Sequence, residues 1–385
     1  MTEVYPLPNR LLFIVMSASA DMSILEEGKT VKKRIYICHT YYHVYVSFLK
    51  EFALPKEEQG YADMMLSKMS TNFEDLKGRL EKVGYFRRVI EFDEKRDTEF
   101  EELAKYKTPS ANFVKALWNR IIFTRKYAAL EAAYVPVDFK KYDEIYVFCD
   151  SDPIGYYLNQ NRIPYHALED GLNCLSHYDT ARYDNRGHFG IKAFFSNRLN
   201  LIFIQNGYGK YCIDMEVNDI SLLPCPCPKY VEVPRKNLTE RLTRQEKDIL
   251  LHAFVRDMDG LKEKMSHGEH SDNKILILTD PVCDLETRRR IFSDIIEKYC
   301  QDAQVYIKPH PRDELDYYKY FGEYIIIDPT VPMEMLNFMD VVFERVYAVL
   351  TVIDAITFAK EKIRLGADFM DLYETPEVHR QNEHL

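Results

Sequence analysis

What this chain lacks narrows its chemistry before any motif is read. It has no long run of Lys or Arg, and its net charge is −10 over 385 residues. Proteins that work on DNA or RNA usually show a basic face, so nucleic acid is disfavoured as a partner. The eight cysteines are scattered, and Cys38 and Cys149 fall inside strand-like runs, so no disulfide framework emerges. Cys225 and Cys227 flank Pro226 as a close pair, but no second pair follows at zinc spacing. His267 and His270 likewise have no acid or cysteine cluster at ligand spacing and read as a solvated linker. The expectation is a cytoplasmic protein with reduced thiols, no metal site and no cofactor. No apolar stretch approaches the roughly 20 residues that a bilayer span needs. Residues 10–20 have a faint signal-peptide look, but their apolar core is short, and residues 1–32 are expected to be a lead-in.

The composition supplies ample core, with 46% hydrophobic and 29% charged residues. The length exceeds the size at which a single core stops growing, which predicts two domains. The 28 tyrosines and 22 phenylalanines are expected mostly on half-buried strand faces, with some lining a cleft.

Strand and helix patterns alternate along the chain. Strands are predicted at 34–38, 61–67, 88–92, 143–149 and 164–168, with helices at 40–52 (capped by Thr40), 73–83, 112–133 and 153–158. Residues 94–107 read as a solvated charged stretch, 172–198 as a lid, 199–204 as a strand in a connecting section, and 241–255 as a helix. A polar stretch at 266–273 marks a boundary. A second unit follows: strands at 274–278, 305–307, 324–327, 341–343, 348–350 and 363–365, with helices at 286–299, 312–321, 333–338 and 352–359. This is the pattern of an α/β protein with two Rossmann-like domains whose parallel sheets face a central cleft. The expected division is a lead-in (1–32), an N-terminal acceptor-side domain with its connecting segment (33–265) and a C-terminal donor-binding domain (266–385).

Chemistry concentrates at the predicted strand ends. In V-Y-I-K-P-H-P-R, Lys308, His310 and Arg312 sit on a loop, and Pro311 suits the first turn of a following helix, whose N-terminus favours phosphate. The bland alternative is a Pro-kinked turn with a solvated His and Arg. Glu169-Asp170-Gly171 ends another strand, and Thr279-Asp280 and Thr351 end two more. Asp150-Ser151-Asp152 has the D-x-D form of a metal clamp, but a helix cap by Ser151 or Asp152 explains it more simply. A carboxylate base, an imidazole acid and a cluster of cations and hydroxyls are the parts needed for glycosyl transfer from a nucleotide.

These motifs, in this order, resemble the bacterial sialyltransferases, and above all glycosyltransferase family 52, which includes lipooligosaccharide sialyltransferases. The resemblance runs from about residue 33 to about residue 366 and includes the opening I-Y-I-C-H-T-Y-Y-H-V. It implies a GT-B-like fold using a CMP-sugar donor, CMP-sialic acid, and a glycan acceptor, lipid-linked or capsular, without a metal and with inversion. It also implies His310 as general acid with Pro311 shaping its loop, and Thr351 in place of a phosphate-binding serine. The base maps to Asp280, with Asp284 as a fallback alignment, or else to Glu169 or Asp170. Thr279, Lys308, Arg312 and Glu334 complete the expected nucleotide site. Peripheral membrane association and homodimerisation are both compatible with this reading. The rival readings are a CDP-alditol phosphotransferase and a non-catalytic nucleotide- or glycan-binding protein.

Overall fold

The computed structural model describes residues 31–376, apart from 70–72, 109, 111, 149, 172–174, 176–184, 186, 224–225, 267–272 and 354–355. The expected lead-in up to residue 30, Cys149, Cys225, His267, His270 and much of the expected lid therefore lie outside the described residues. Two wholly parallel sheets organise the rest. The first contains β1 (Arg34–Cys38), β2 (Asp63–Ser67), β3 (Arg88–Phe92), β4 (Glu144–Phe148), β5 (Tyr165–Leu168), β6 (Cys212–Val217) and β7 (Tyr230–Glu232). The second contains β8 (Lys274–Leu278), β9 (Gln304–Lys308), β10 (Ile325–Ile326), β11 (Phe343–Ala348) and β12 (Ala359–Arg364).

The strand orders are 3-2-1-4-5-6-7 and 10-9-8-11-12. In each sheet the chain winds outward in one direction, then returns to the first strand and continues on its other side. The reversal falls between β1 and β4 in one sheet and between β8 and β11 in the other. Open parallel sheets bind ligands at this point, beyond the carboxyl ends of the strands, because adjacent connections leave in opposite directions.

The apolar runs that predicted the central strands are buried on both faces, as sheets covered by helices require. Ile35, Ile37, Ile145 and Val147 form one side of the first sheet, and Ile275, Ile277 and Ile307 one side of the second. A further apolar cluster joins the two halves, from Tyr36 and Phe48 through Leu250 and Phe254 to Tyr306 and Phe343. The helix Arg244–Phe254 lies within it, started by a Thr243–Glu246 capping box.

Several expectations are corrected. The loop after β9 does not enter a helix at Arg312; turns follow, and the helix spans only Tyr317–Phe321, capped by Asp316. The two expected strands at 341–343 and 348–350 are one strand, β11, and residues 352–358 form no helix among the described residues. Ile353, Ile356 and Phe358 are buried there instead, in keeping with the poor helix propensity of β-branched residues. Residues 199–204 are irregular, and the sheet is extended by β6 and β7. A helix, Phe189–Asn197, occupies part of the expected lid. The stretch after Glu94 is not simply solvated, since Glu94 and Leu103 are both buried.

Candidate active site

The carboxyl end of β8 delivers Thr279 and Asp280, both buried. Asp280 reaches across the reversal point to the end of β11. Its Oδ1 accepts from the Thr351 hydroxyl at 2.5 Å, and its Oδ2 accepts from Leu350 N at 3.0 Å. Thr279 ties in the neighbouring loop: its Oγ1 accepts from His310 N at 3.0 Å and donates to Asp313 Oδ2 at 3.2 Å. Asp280, Thr351, Thr279 and His310 thus belong to one hydrogen-bonded platform.

Asp313 was not singled out from sequence, yet it holds the loop in shape. Its carboxylate also receives Arg288 Nη1 at 2.5 Å and the Tyr317 hydroxyl at 2.8 Å, and its own N–H donates back to His310 O at 2.9 Å. The turn over Pro311 follows from this tie. Within it, Arg312 N donates to His310 Nδ1 at 3.1 Å, which leaves the neutral ring's proton on Nε2. Burial, reinforced by the Arg312 charge, pushes the His310 imidazole down to about 4.

Two expected phosphate ligands have other roles in the structure. Lys308 is buried and donates from Nζ to Pro309 O at 2.8 Å and Pro329 O at 3.0 Å, while burial lowers it to about 8. It acts as an internal strut, since a buried ammonium must find acceptors inside the fold. The helix N-terminus expected directly after Pro311 is absent. Arg312 is the exposed cation of this loop. Glu334 is half-buried on the 3-10 turn Met333–Phe338. Burial raises its carboxyl, and its charge is felt by Tyr42 and Tyr45 of the N-terminal half. Asp284, the fallback base, is instead the N-cap of the helix Leu285–Tyr299, accepting from Glu286 N and Thr287 N.

The acidic pair of the first half divides its labour. Glu169 is buried, and its Oε2 accepts from Asn218 N at 2.7 Å. Asp170 is partly exposed, and its Oδ1 receives His43 Nε2 at 2.5 Å. His43 is itself set by His39 N, which donates to Nδ1 at 2.9 Å. Burial works against the Asp170 charge, but His43, His39 and the Arg312 guanidinium outweigh it and hold the carboxyl below its usual range. Arg312 belongs to the opposite half, so the His310 loop and Asp170 face one another.

A second cluster, missed in the sequence, sits at the reversal point of the first sheet. His39 Nε2 lies 2.7 Å from Glu94 Oε2 and 3.3 Å from Asp152 Oδ2. Burial opposes its charge, but the two carboxylates prevail and raise the imidazole above its ordinary range. Asp152 makes no side-chain cap to the helix Pro153–Gln160; Glu94 Oε1 takes Ile154 N instead, at 2.6 Å. Asp150 is fully buried and receives the Tyr165 hydroxyl at 2.6 Å. The two aspartates of the D-x-D sequence therefore have separate partners. Only the placement of His39 directly after a strand, like Asp170 and Asp280, could have marked this cluster in advance.

Two parallel sheets with polar platforms at their reversal points have the GT-B architecture. The chain belongs to glycosyltransferase family 52, whose family model matches residues 91–365. Among solved structures it is similar to a 2,6-sialyltransferase of a Vibrionaceae Photobacterium species, in complex with the donor product CMP and the acceptor lactose. That match has 10% identity, 91% coverage of this chain, 76% of the other and a TM-score of 0.54. An α/β-galactoside α-2,3-sialyltransferase of Photobacterium phosphoreum is similar at 12% identity, covering 87% of this chain and 91% of the other, with a TM-score of 0.49. An uncharacterised Haemophilus influenzae protein is 30% identical over 140 residues, which is 35% of this chain and 42% of that protein.

Proposed function

We propose that this protein transfers sialic acid from CMP-sialic acid to a hydroxyl of a bacterial surface glycan, by a single displacement with inversion and without a metal. The observation that supports it best is the shared platform of Asp280, Thr351, Thr279 and His310, with Asp170 facing the same loop from the other sheet. The departing CMP gains negative charge on its phosphate. His310 Nε2–H, the Arg312 guanidinium and the Thr351 hydroxyl are the groups that meet that charge. Asp280 takes the acceptor proton, and Asp170, with His43 behind it, orients the acceptor. Glu334 serves the nucleotide's ribose, while Thr279, Pro311 and Lys308 shape the loops.

The Thr351 hydroxyl donates to Asp280 Oδ1. When it turns to a donor phosphate, that oxygen becomes available as a base, so donor binding prepares the carboxylate for the acceptor. Replacing Asp280 by Asn is expected to lower turnover by about 10²–10⁴-fold, whereas Asp170→Asn mainly raises the KM for the acceptor. Steady-state transfer assays distinguish the two. The donor is tested by comparing CMP-sialic acid with CDP-glycerol and CDP-ribitol, with EDTA present throughout. Turnover of only the CDP-alditols overturns the reading, and nucleotide binding with no turnover points to a non-catalytic protein.

A further inference from the structure

One buried arginine at the cleft keeps its best binding edge unused. The Nε–Nη2 edge of a guanidinium presents two parallel N–H groups, a fork that fits a carboxylate. Elsewhere in the chain Arg34 turns that edge to Glu51, Arg87 to Asp63 and Arg289 to Glu286. Arg235 is only 8% exposed, and its Nε and Nη2 are buried without a hydrogen bond. Arg79 shares the unbonded edge, but has Asp75 Oδ2 3.4 Å from its Nε. The contacts of Arg235 are made by Nη1, which donates to Val233 O at 3.2 Å and lies 3.8 Å from Glu216 Oε2. Lys50 holds the other oxygen of Glu216 at 2.5 Å. Buried donors without an acceptor are costly, and native folds rarely leave them.

This side chain stands at the carboxyl edge of the first sheet. Arg235 follows β7, and its N–H donates at 2.8 Å to Asn218 Oδ1, just after β6. Asn218 N donates in turn to Glu169, just after β5. The Tyr42 hydroxyl, beyond β1, is within electrostatic reach of both the Arg235 guanidinium and Glu334 of the opposite half. Arg235 therefore belongs to the wall of the cleft, across from the expected ribose ligand. We propose that its Nε–Nη2 edge binds the C1 carboxylate of the donor sugar, the half-buried Tyr42 side chain turning aside to admit it. The assignment rests on CMP-sialic acid being the donor and adds what selects it. A buried fork rejects a sugar that lacks the carboxylate, because its N–H groups are then left unpaired. The donor phosphate is a poorer occupant, since His310, Arg312 and Thr351, the groups that meet it, all stand on the opposite half.

The test compares CMP-sialic acid with its C1 carboxamide in steady-state transfer by the wild type, Arg235→Lys and Arg235→Gln, and measures CMP affinity by calorimetry. The wild type should prefer the carboxylate by about 10–100-fold in kcat/KM, as expected for one charge-assisted fork. Arg235→Lys, which keeps the charge without the fork, should lose part of that preference, and Arg235→Gln nearly all of it, chiefly through a higher KM for the acidic donor. Both should bind CMP, which has no carboxylate, as the wild type does. The preference is a ratio within each protein, so a smaller folded fraction leaves it unchanged. A wild type indifferent to the carboxylate overturns the assignment. So do variants as selective as the wild type, which make Arg235 a structural partner of Glu216, and so does a parallel loss of CMP affinity, which gives the edge to the phosphate. Turnover of CDP-alditols with none of CMP-sialic acid overturns the donor reading and this assignment together.

Discussion

His310 illustrates how one backbone hydrogen bond decides a side chain's chemistry. Because Arg312 N donates to Nδ1, protonating that nitrogen would set two donors against each other, and the ring is held neutral with Nε2–H directed outward. The neutral ring still gives a hydrogen bond from Nε2–H to the leaving phosphate and so stabilises the charge that gathers there. His310→Ala is therefore expected to lose about 10²-fold or more in turnover, while His310→Gln, which keeps an N–H donor, recovers part of it. Equal losses in single-turnover assays would refute a donor role. A stability effect accompanies this. The folded value of about 4 lies below the ordinary imidazole value of 6.5, so between them the unfolded chain binds the proton more readily. The stabilisation is complete above about 6.5 and is lost as pH falls toward 4. In denaturant titrations across that window, wild type should lose stability more steeply than His310→Gln.

At the scale of loops and helices, placement depends on buried charges as much as on apolar pattern. Arg288, Thr279 and Tyr317 converge on Asp313, whose side chain is wholly buried, and together they fix the turn that carries His310. Asp313→Ala leaves Arg288 without its partner and should cost about 3–5 kcal/mol, with turnover lost even where the protein remains folded. Glu131, closing the helix Phe113–Glu131, is a different case. Burial, and then the charge of Glu94, raise its carboxyl to about 8, so that folding is opposed as pH rises from 4.5 toward 8. Glu131→Gln removes that ionisation and should raise the melting temperature at pH 8 more than at pH 5. These groups also show where the sequence was legible. Apolar runs such as Lys274–Leu278 declared their strands, and motifs at strand ends placed Asp280, His310 and Thr351 together. Asp313, His39 and Glu94 were not legible, because their partners lie 55, 34 and 25 positions away in the chain and become neighbours only in the fold. The helix expected after Thr351 failed for a related reason: Ile353 and Ile356 share a helical spacing, but both are claimed, with Phe358, by the apolar cluster between the halves.

For the whole molecule, the arrangement of the two halves determines what the donor would meet. They are joined on one side by Arg256, which pairs with Glu74 and Asp75 of its own half and reaches Asp328 of the other at 3.9 Å, and by Lys264, which donates to Ile326 O at 3.0 Å. Tyr45 and Phe338 meet there as well, with ring centroids 6.5 Å apart. On the site side, the exposed Arg312 is felt by Asp170 across the gap, so a bound phosphate would compete with that carboxylate for the same guanidinium. Binding of CMP should consequently draw Arg312 toward the nucleotide. A ligand that binds only the folded state raises its stability by about 2.7 kcal/mol at a concentration 100 times its Kd, so CMP should raise the melting temperature of the wild type. Arg312→Ala should melt like the wild type without nucleotide, because an exposed side chain contributes little to folding. Its CMP affinity should fall by roughly tenfold, the effect of one lost charge-assisted contact of about 1.5 kcal/mol. Thermal melts at a fixed CMP concentration about ten times the wild-type Kd would then show a shift worth about 1.4 kcal/mol for the wild type and about 0.4 kcal/mol for the variant. Equal shifts in the two proteins would mean that the phosphate is held elsewhere, and that the facing of His310 loop and Asp170 has no part in donor binding.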